Sequence, residues 1–581
     1  MSGGRLSTPT SFSVTSRVLR DPGARSQLVW WDDPSDMSPL IVRTKDDRRA
    51  KASPSPPLRN KSGLLTGRPI EILAVLLPSV AAFGLVLFDL GRRSIWLDEG
   101  DTFATASQHG STLWHWALND GGNMVTYYLG IHLWTALFGT SEVALRSPSL
   151  LAAVATVPTA YWMLQRLFDS RAAFFGSMFV AVSVQFVWWG QMARAYSIAT
   201  FLVTAAGLCL VIAVDSGRKL AYLGYVAFSV LAIYTILLSA LVLFAQLASL
   251  VARGRQERDG RIIVGVVGAL GVLCVPVAVA ATLRGTAPIA WVPSPGPILG
   301  SVSRSVVEEL TSTIAGLGQL GLLAELLLGL TLSLWLIGVA LCVSSFMRNG
   351  HSRQSWGYLL MILWLAVPSV LAYLVSFLVH PVLNARYVLG SLPAGSMLAG
   401  VVCSRLRSVH VATAAGIALV ALRFSVILPT YGHPFEDWRA AVASVASRSK
   451  AQDCVAFYVA QGFDTFDYYA ERLPPAMYER LPRPVLPDAR YRVRTPFVLD
   501  PEVIPRTELS SVVDRCPRLW LVQTHAGARP APGAPAYVVH VYENWQQLLA
   551  ELGPSYKATE TSRFPRIVVT LLDRRPRSPR T

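Results

Sequence analysis

Apolar stretches long enough to cross a bilayer recur along most of this chain, and no other feature constrains its fold as much. A crossing helix takes about 17–25 residues. Such stretches lie near 69–90, 143–167, 172–190, 197–214, 220–236, 238–252, 262–282, 319–346, 357–379, 386–404 and 409–428. They number about eleven, with a short pair at 220–252. Inside a bilayer the backbone must satisfy its own polar groups, so such segments are helices. A composition 52% hydrophobic and 15% charged agrees. The chain reads as a polytopic α-helical membrane protein.

The positions of the bases orient it. Residues 1–68 hold twelve Lys/Arg against six Asp, without periodicity, and read as a disordered basic cytoplasmic tail. If the spans alternate from there, the inside turns carry Arg166/Arg171, Arg218/Lys219, Arg253/Arg255/Arg258/Arg261, Arg348/Arg353 and Arg405/Arg407. The outside turns carry fewer, single or paired: Arg92/Arg93, Arg194, Arg284, Arg304 and Arg386. This is the positive-inside asymmetry. Most of the formal net charge of +16 lies in these segments and the tail, so nucleic acid is not an expected partner.

Three pieces then fall outside: the first loop 91–142, the loop 283–318 and everything after about 429. The expected division is a transmembrane domain over 69–429 and an extracytoplasmic domain over 430–581. The latter has mixed polarity. Glu436–Val445 and Trp545–Leu552 read as helices, Cys454–Val459 and Leu519–Gln523 as short buried strands. Alternating strands and helices suggest a small α/β domain. Cys454 and Cys516 stand at the start of those strands, so a disulfide is feasible if the strands are parallel neighbours. Cys209, Cys274, Cys342 and Cys403 fall singly in apolar segments, and no CxxC or Cys/His cluster suggests structural zinc.

The first outer loop carries the chemistry. It contains Ile95-Trp-Leu-Asp-Glu-Gly-Asp101, three carboxylates within four residues at a membrane surface. Its aromatics (Trp96, Trp114, Trp116, Tyr127, Tyr128, Trp134) favour the interface, and 124–138 reads as a surface helix, or else a tilted span that would break the alternation. The acids have a bland reading as caps of the next helix. A carboxyl at a low-dielectric boundary, however, gains proton affinity, which suits a general base. Asp98 is the candidate base, with Glu99, Asp101 and Asp120 as groups orienting an acceptor or a divalent cation. No ligand set for a metal is readable. Gly121 and Gly122 allow a tight turn beside Asp120.

Phosphate recognition calls for arginine, whose planar fork matches phosphate oxygens. Arg386, with Tyr387 beside it, and Arg194 stand at outer span ends; each could instead be a snorkelling anchor. Arg146, His380 and Asn384 are weaker candidates. His132 and Trp134 read as packing residues.

Several spaced motifs resemble family 39-type glycosyltransferases, which have the GT-C membrane fold and include protein O-mannosyltransferases and the lipid A aminoarabinose transferase. They are Trp96-Leu-Asp-Glu99, Asn119-Asp-Gly-Gly-Asn-Met124, Tyr127-Tyr-Leu-Gly-Ile-His-Leu-Trp-Thr-Ala-Leu-Phe-Gly139, Glu142-Val-Ala-Leu-Arg-Ser-Pro148, Gln191-Met-Ala-Arg-Ala-Tyr196, Ala290-Trp-Val-Pro293, Arg386-Tyr-Val-Leu-Gly390 and Asp437-Trp-Arg-Ala-Ala441. The resemblance covers roughly 70–450. It implies a GT-C fold, a catalytic Asp at Asp98, a polyprenyl-phosphate-sugar donor and an inverting transfer. Many relatives carry His-Pro-Pro where Gly122-Asn-Met124 stands here, Tyr-Thr-His where this chain reads Tyr234-Thr-Ile236, and Glu at the place of Gln191.

The resulting expectation is an inverting glycosyltransferase of the inner (plasma) membrane. It would move mannose or another hexose or pentose to a glycan, lipid or protein acceptor outside, with membrane lipids around it. The donor phosphate would sit on Arg386, Tyr387 and Arg194. A transporter or flippase of lipid-linked sugars, or a non-catalytic envelope scaffold, are the other readings. Transporters place their charges near the bilayer midplane, whereas these collect at one surface.

Overall fold

The computed structural model describes residues 68–118, 121–253, 257–296, 321–432, 434–486, 506–524, 528–530 and 533–576. The basic tail through residue 67, Asp120, and residues 297–320 of the second outer loop lie outside them.

Seven described helices are long and apolar enough to cross a membrane. They are α1 (Arg68–Leu87), α5 (Glu142–Leu167), α8 (Tyr196–Ser216), α11 (Glu257–Arg284), α12 (Gly321–Asn349), α13 (Arg353–Leu378) and α15 (Val409–Ile427). An eighth is a broken pair, α6 (Ser170–Ala181) and α7 (Val184–Gly190), bent by 55°. Shorter apolar helices stand at the other predicted positions: α9 (Lys219–Thr235), α10 (Ser239–Ala248) and α14 (Leu392–Ser404). The chain is thus a multi-pass membrane protein, and the short helices are where hydropathy overstated span length.

Small residues let these helices approach. A Cβ on Gly400 of α14 would lie 2.3 Å from the backbone of Gly176 in α6, so neither position accepts a side chain without movement. The membrane core gathers around Tyr161, Phe179, Tyr225, Trp356 and Trp364, all fully buried. The indole N–H groups of Trp356 and Trp364 donate to Ser249 Oγ (3.0 Å) and to the Gly390 carbonyl (2.8 Å), so their burial leaves no unmet donor.

The first loop folds into three helices, α2 (Leu97–Ala106), α3 (Gly110–Leu118) and α4 (Val125–Phe138). At 14 residues, α4 is too short to span. Gly121, Gly122 and Met124 have φ of 66°, 77° and 65°, and this left-handed turn, whose glycines lie against α11, lays α4 against α9. Asn123 Oδ1 accepts from the Leu237 N–H at 3.2 Å, and the Thr126 and Thr235 hydroxyls meet at 2.7 Å.

After α15 the described residues form α16 (Trp438–Arg448), α17 (Gly462–Ala470), α18 (Pro475–Tyr478), α19 (Arg506–Arg515) and α20 (Ala536–Leu552), with five strands among them. The strands are β1 (Cys454–Tyr458), β2 (Arg483–Leu486), β3 (Arg518–Gln523), β4 (Tyr556–Phe564) and β5 (Ile567–Arg574), in the order β2-β1-β3-β5-β4. β1 pairs parallel with β2 and β3, while β4 and β5 form an antiparallel hairpin on β3. The hairpin, β2, α17, α18 and α19 are additions to the sequence reading.

Alternation along the strands gives each face its own core. Val455, Phe457, Trp520, Val522, Val569 and Leu571 pack with α16, α17 and the acidic loop. Cys454, Ala456, Leu519 and Leu521 pack with α19 and α20. Cys454 and Cys516 are joined by a disulfide, with Cα atoms 5.7 Å apart, next to the parallel β1–β3 ladder.

Candidate active site

Helix α2 begins one residue before Asp98, so Asp98 and Glu99 lie in its first turn, where carboxylates are favoured. The two have opposite fates. Asp98 stays partly exposed (22%), and its carboxylate faces two guanidiniums. Arg386 donates from Nη1 to Asp98 Oδ2 at 3.1 Å. Arg194 places Nη2 3.7 Å from the same oxygen and donates from Nη1 to the Asp98 carbonyl at 3.0 Å.

Glu99 points the other way and is completely buried. Arg146 grips it with both arms, Nε to Oε1 at 2.8 Å and Nη2 to Oε2 at 2.7 Å. The Ala193 N–H adds a bond of 2.7 Å and the Trp96 N–H one of 3.3 Å. Arg146 also donates to the carbonyls of Leu90, Arg93 and Ser94. This corrects the expected role of Glu99: its lone pairs are committed to the loop's own scaffold, so it does not orient an acceptor or cation. Arg146 is the matching strut and not a ligand group. Asp101 is also buried, on the same helix.

The two guanidiniums come from breaks between helices. Arg194 lies in the turn between α7 and α8. There its carbonyl accepts from Ser149 Oγ at 3.0 Å, and its Nη2 lies 3.7 Å from Met124 Sδ. Arg386 lies in a short 3-10 turn whose N–H groups Asn384 caps, with Asn384 Oδ1 3.2 Å from the Arg386 N–H. Its guanidinium stacks on Trp291, 4.2 Å from the ring centroid, and sits 5.5 Å from the Tyr387 ring. Trp291, part of the Ala290-Trp-Val-Pro293 motif, is a site residue whose role its motif does not reveal, because it arrives from a separate loop.

Burial works against the charge of Arg194, but Asp98 and the tyrosines around it outweigh that effect and hold its pKa well above the ordinary value. Burial likewise opposes Arg386, and Tyr196, Tyr387 and Asp98 together raise it. Both therefore stay charged. The Nε–H groups of both arginines are buried and find no hydrogen-bond partner. Two fixed cations on one carboxylate, with spare N–H groups, leave the site a net positive charge.

Nearby, Arg93 donates to Gln191 Oε1 at 2.6 Å, and Gln191 Nε2 donates to the carbonyls of Phe88 (2.6 Å) and Val86 (3.1 Å). Burial, with Arg146 beside it, pushes Arg93 down to about 10. Gln191 thus joins α1 to the loop as a neutral acceptor and donor. His132 Nδ1 lies 2.7 Å from the Ala106 carbonyl, and Trp134 donates to Ala144 and Ser147, so both are packing residues. His380 Nδ1 lies 3.2 Å from the Pro381 carbonyl.

Among the described residues no group of three or more His, Cys, Asp or Glu could hold a metal ion. Asp98 lies between two guanidiniums and Glu99 on a third, so these two carboxylates do not fit a divalent cation.

A sequence model of the family described as dolichyl-phosphate-mannose-protein mannosyltransferase matches residues 124–280. No curated protein sequence matches the chain. Among solved structures, ArnT from Cupriavidus metallidurans in the apo state is similar at 14% identity, over 86% of this chain and 97% of that one, with a TM-score of 0.53. The same protein bound to undecaprenyl phosphate gives 14% identity, the same coverages and a TM-score of 0.50. The Archaeoglobus fulgidus oligosaccharyltransferase with Zn and sulfate gives 10% identity, 78% and 68% coverage and a TM-score of 0.47. A helical membrane array, with a loop of surface helices on it and a sheet-containing C-terminal unit after it, is thus the GT-C-type fold of membrane glycosyltransferases.

Proposed function

We propose that this protein is an inverting glycosyltransferase that takes a sugar from a polyprenyl-phosphate carrier and gives it to a hydroxyl acceptor. The observation that carries the reading is the convergence of Arg386 and Arg194 on Asp98, with guanidinium N–H groups left over. A phosphate arriving beside Asp98 meets two preorganised cations and competes with the carboxylate for them. Once they turn to the phosphate, Asp98 is free to serve the acceptor.

In the step itself, Asp98 takes the acceptor proton as that oxygen bonds to the anomeric carbon. The bond from that carbon to the phosphate oxygen breaks on the opposite face, and its electron pair leaves with the polyprenyl phosphate. Arg386 and Arg194 neutralise the charge that develops there, where donors fixed in advance act most strongly. Tyr387 flanks the same group. That ArnT is described with undecaprenyl phosphate bound supports a polyprenyl carrier here.

The basic turns at the other end of the bundle support, by the positive-inside rule, a cytoplasmic place for that end. The reaction then takes place outside the inner (plasma) membrane, and residues 430–581 form an extracytoplasmic domain. Mannose, or another hexose or pentose, is the sugar in this reading, and a cell-envelope glycan, glycolipid or glycoprotein is the product.

The test uses purified protein in nanodiscs with a panel of polyprenyl-phosphate sugars and a membrane extract as acceptor source. One donor should release polyprenyl phosphate with wild-type protein and not with Asp98→Asn. Equal turnover by the variant, or consumption of no donor, would reject the reading.

A further inference from the structure

The helix that carries Asp98 is capped from outside its own loop. An α-helix leaves its first N–H groups without partners, and Trp96, at the cap position, has no side-chain oxygen to offer them. The Leu97 N–H instead donates to Glu436 Oε2 at 2.8 Å, across 339 positions of sequence. The preceding Ile95 N–H donates to the Tyr469 hydroxyl at 2.7 Å. Both partners come from the segment after the last span.

Glu436 is built into that place. It is completely buried, and the same oxygen accepts from Trp438 Nε1 at 2.8 Å. The residue before it, Phe435, packs edge-on against Trp96 at 4.8 Å and carries Arg566 over its ring at 3.8 Å. The residue after it, Asp437, donates its N–H to the Pro565 carbonyl at 3.4 Å. Pro565 and Arg566 form the turn of the β4–β5 hairpin. The sheet therefore holds the Phe435–Asp437 segment, and that segment holds the first turn of α2. Burying a carboxylate is costly unless it is well bonded, and here one of its two bonds comes from the residue before Asp98 and the other from Trp438.

We infer that Glu436 is a positioning residue for Asp98, and that the C-terminal unit serves the reaction by fixing the catalytic helix. The inference rests on the reading of Asp98 as the base. Without the cap, the first turn of α2 frays and Asp98 loses its alignment with Arg386 and Arg194. The phosphate site itself, made of the two arginines, stays.

The experiment compares Glu436→Ala, Glu436→Gln, Tyr469→Phe and Asp98→Asn for donor turnover and for amide hydrogen exchange. A misplacement of about 1 Å costs on the order of a hundredfold, so Glu436→Ala should lower kcat by about that factor with donor KM within about threefold. Glu436→Gln keeps an acceptor oxygen and should recover most of kcat. Amides of residues 95–102 should exchange faster in Glu436→Ala, while those of β1 and β3 keep wild-type rates. Wild-type kcat in Glu436→Ala, with Asp98→Asn inactive, would overturn the positioning role and leave the base. Full turnover by Asp98→Asn would overturn the base and the positioning role with it. If Glu436→Ala does not fold, Tyr469→Phe decides: wild-type kcat and wild-type exchange at 95–102 would overturn the inference, and a drop in kcat with faster exchange there would support it.

Discussion

Arg386 reaches Asp98 across 288 positions of sequence and donates to Oδ2 at 3.1 Å, while Arg194 stands 3.7 Å from the same oxygen. This arrangement makes the carboxylate and a bound phosphate competitors for the same cations. Asp98→Asn should therefore abolish transfer yet bind polyprenyl phosphate at least as tightly as wild type. Native mass spectrometry or calorimetry with polyprenyl phosphate in nanodiscs would measure it. Weaker binding by Asp98→Asn would argue against competition.

Removing a guanidinium should act on the leaving group. Arg386→Ala is expected to lower kcat/KM for donor by about 10²–10³, the range for deleting one preorganised donor to a developing negative charge. Arg386→Lys keeps the charge but loses the planar fork and the flat face stacked on Trp291, so it should recover only part of the loss. Steady-state kinetics on one donor series would show the order wild type, Lys, Ala. An Ala variant as active as Lys would mean that charge at this position is irrelevant to leaving-group departure.

Much of this was legible before the structure. The apolar spacing and the distribution of bases gave the membrane array, because both follow from local physics. Asp98, Arg386 and Arg194 were legible as charges placed where charges are expensive. The distinction between Asp98 and its neighbour Glu99 was not. Adjacent residues on a helix point about 100° apart, and only the position of Arg146 decides which one is buried. The roles of Trp291 and Glu436 were hidden for the same reason, since each acts through a contact distant in sequence. The β4–β5 hairpin leaves little mark in the sequence because β4, Tyr556–Phe564, is polar and largely exposed, with no apolar alternation to mark it as a strand.

The Glu99–Arg146 pair should govern stability without touching the reaction directly. The two side chains are 0% and 2% exposed. Deleting one partner of a buried pair strands the other charge, at a cost of about 3–5 kcal/mol. Glu99→Ala and Arg146→Ala should each lower the thermal midpoint in detergent well below that of Asp98→Asn. A wild-type midpoint in either would mean that the loop does not depend on the pair.

The disulfide makes a separate prediction about the C-terminal unit. It closes a loop with a sequence separation of 62. By chain entropy alone, a loop of that size stabilises the folded state by up to about 4 kcal/mol. Cys454→Ser with Cys516→Ser should make the strands after residue 454 cleave faster under limited proteolysis, with the helical array unaffected. Equal cleavage rates in variant and wild type would show that the sheet's packing suffices.

Gly100 tests the docking of that unit on the catalytic helix most directly. A Cβ at Gly100 would lie 2.1 Å from Thr465 Oγ1 and 3.0 Å from Thr465 Cβ, at the contact of α2 with α17. Gly100→Ala must therefore displace α2, because α17 is anchored through Tyr468 and Tyr469 to Thr140 and Glu142. Turnover should fall by at least about tenfold, since a displacement of this size moves Asp98 away from the arginines. Adding Thr465→Ala removes the closest atom but leaves Cβ and backbone at 3.0–3.1 Å, so the double variant should recover activity only in part. Donor turnover by the four proteins of this cycle measures the coupling directly. Additive losses, with no recovery in the double variant, would mean that the contact does not transmit position to the site.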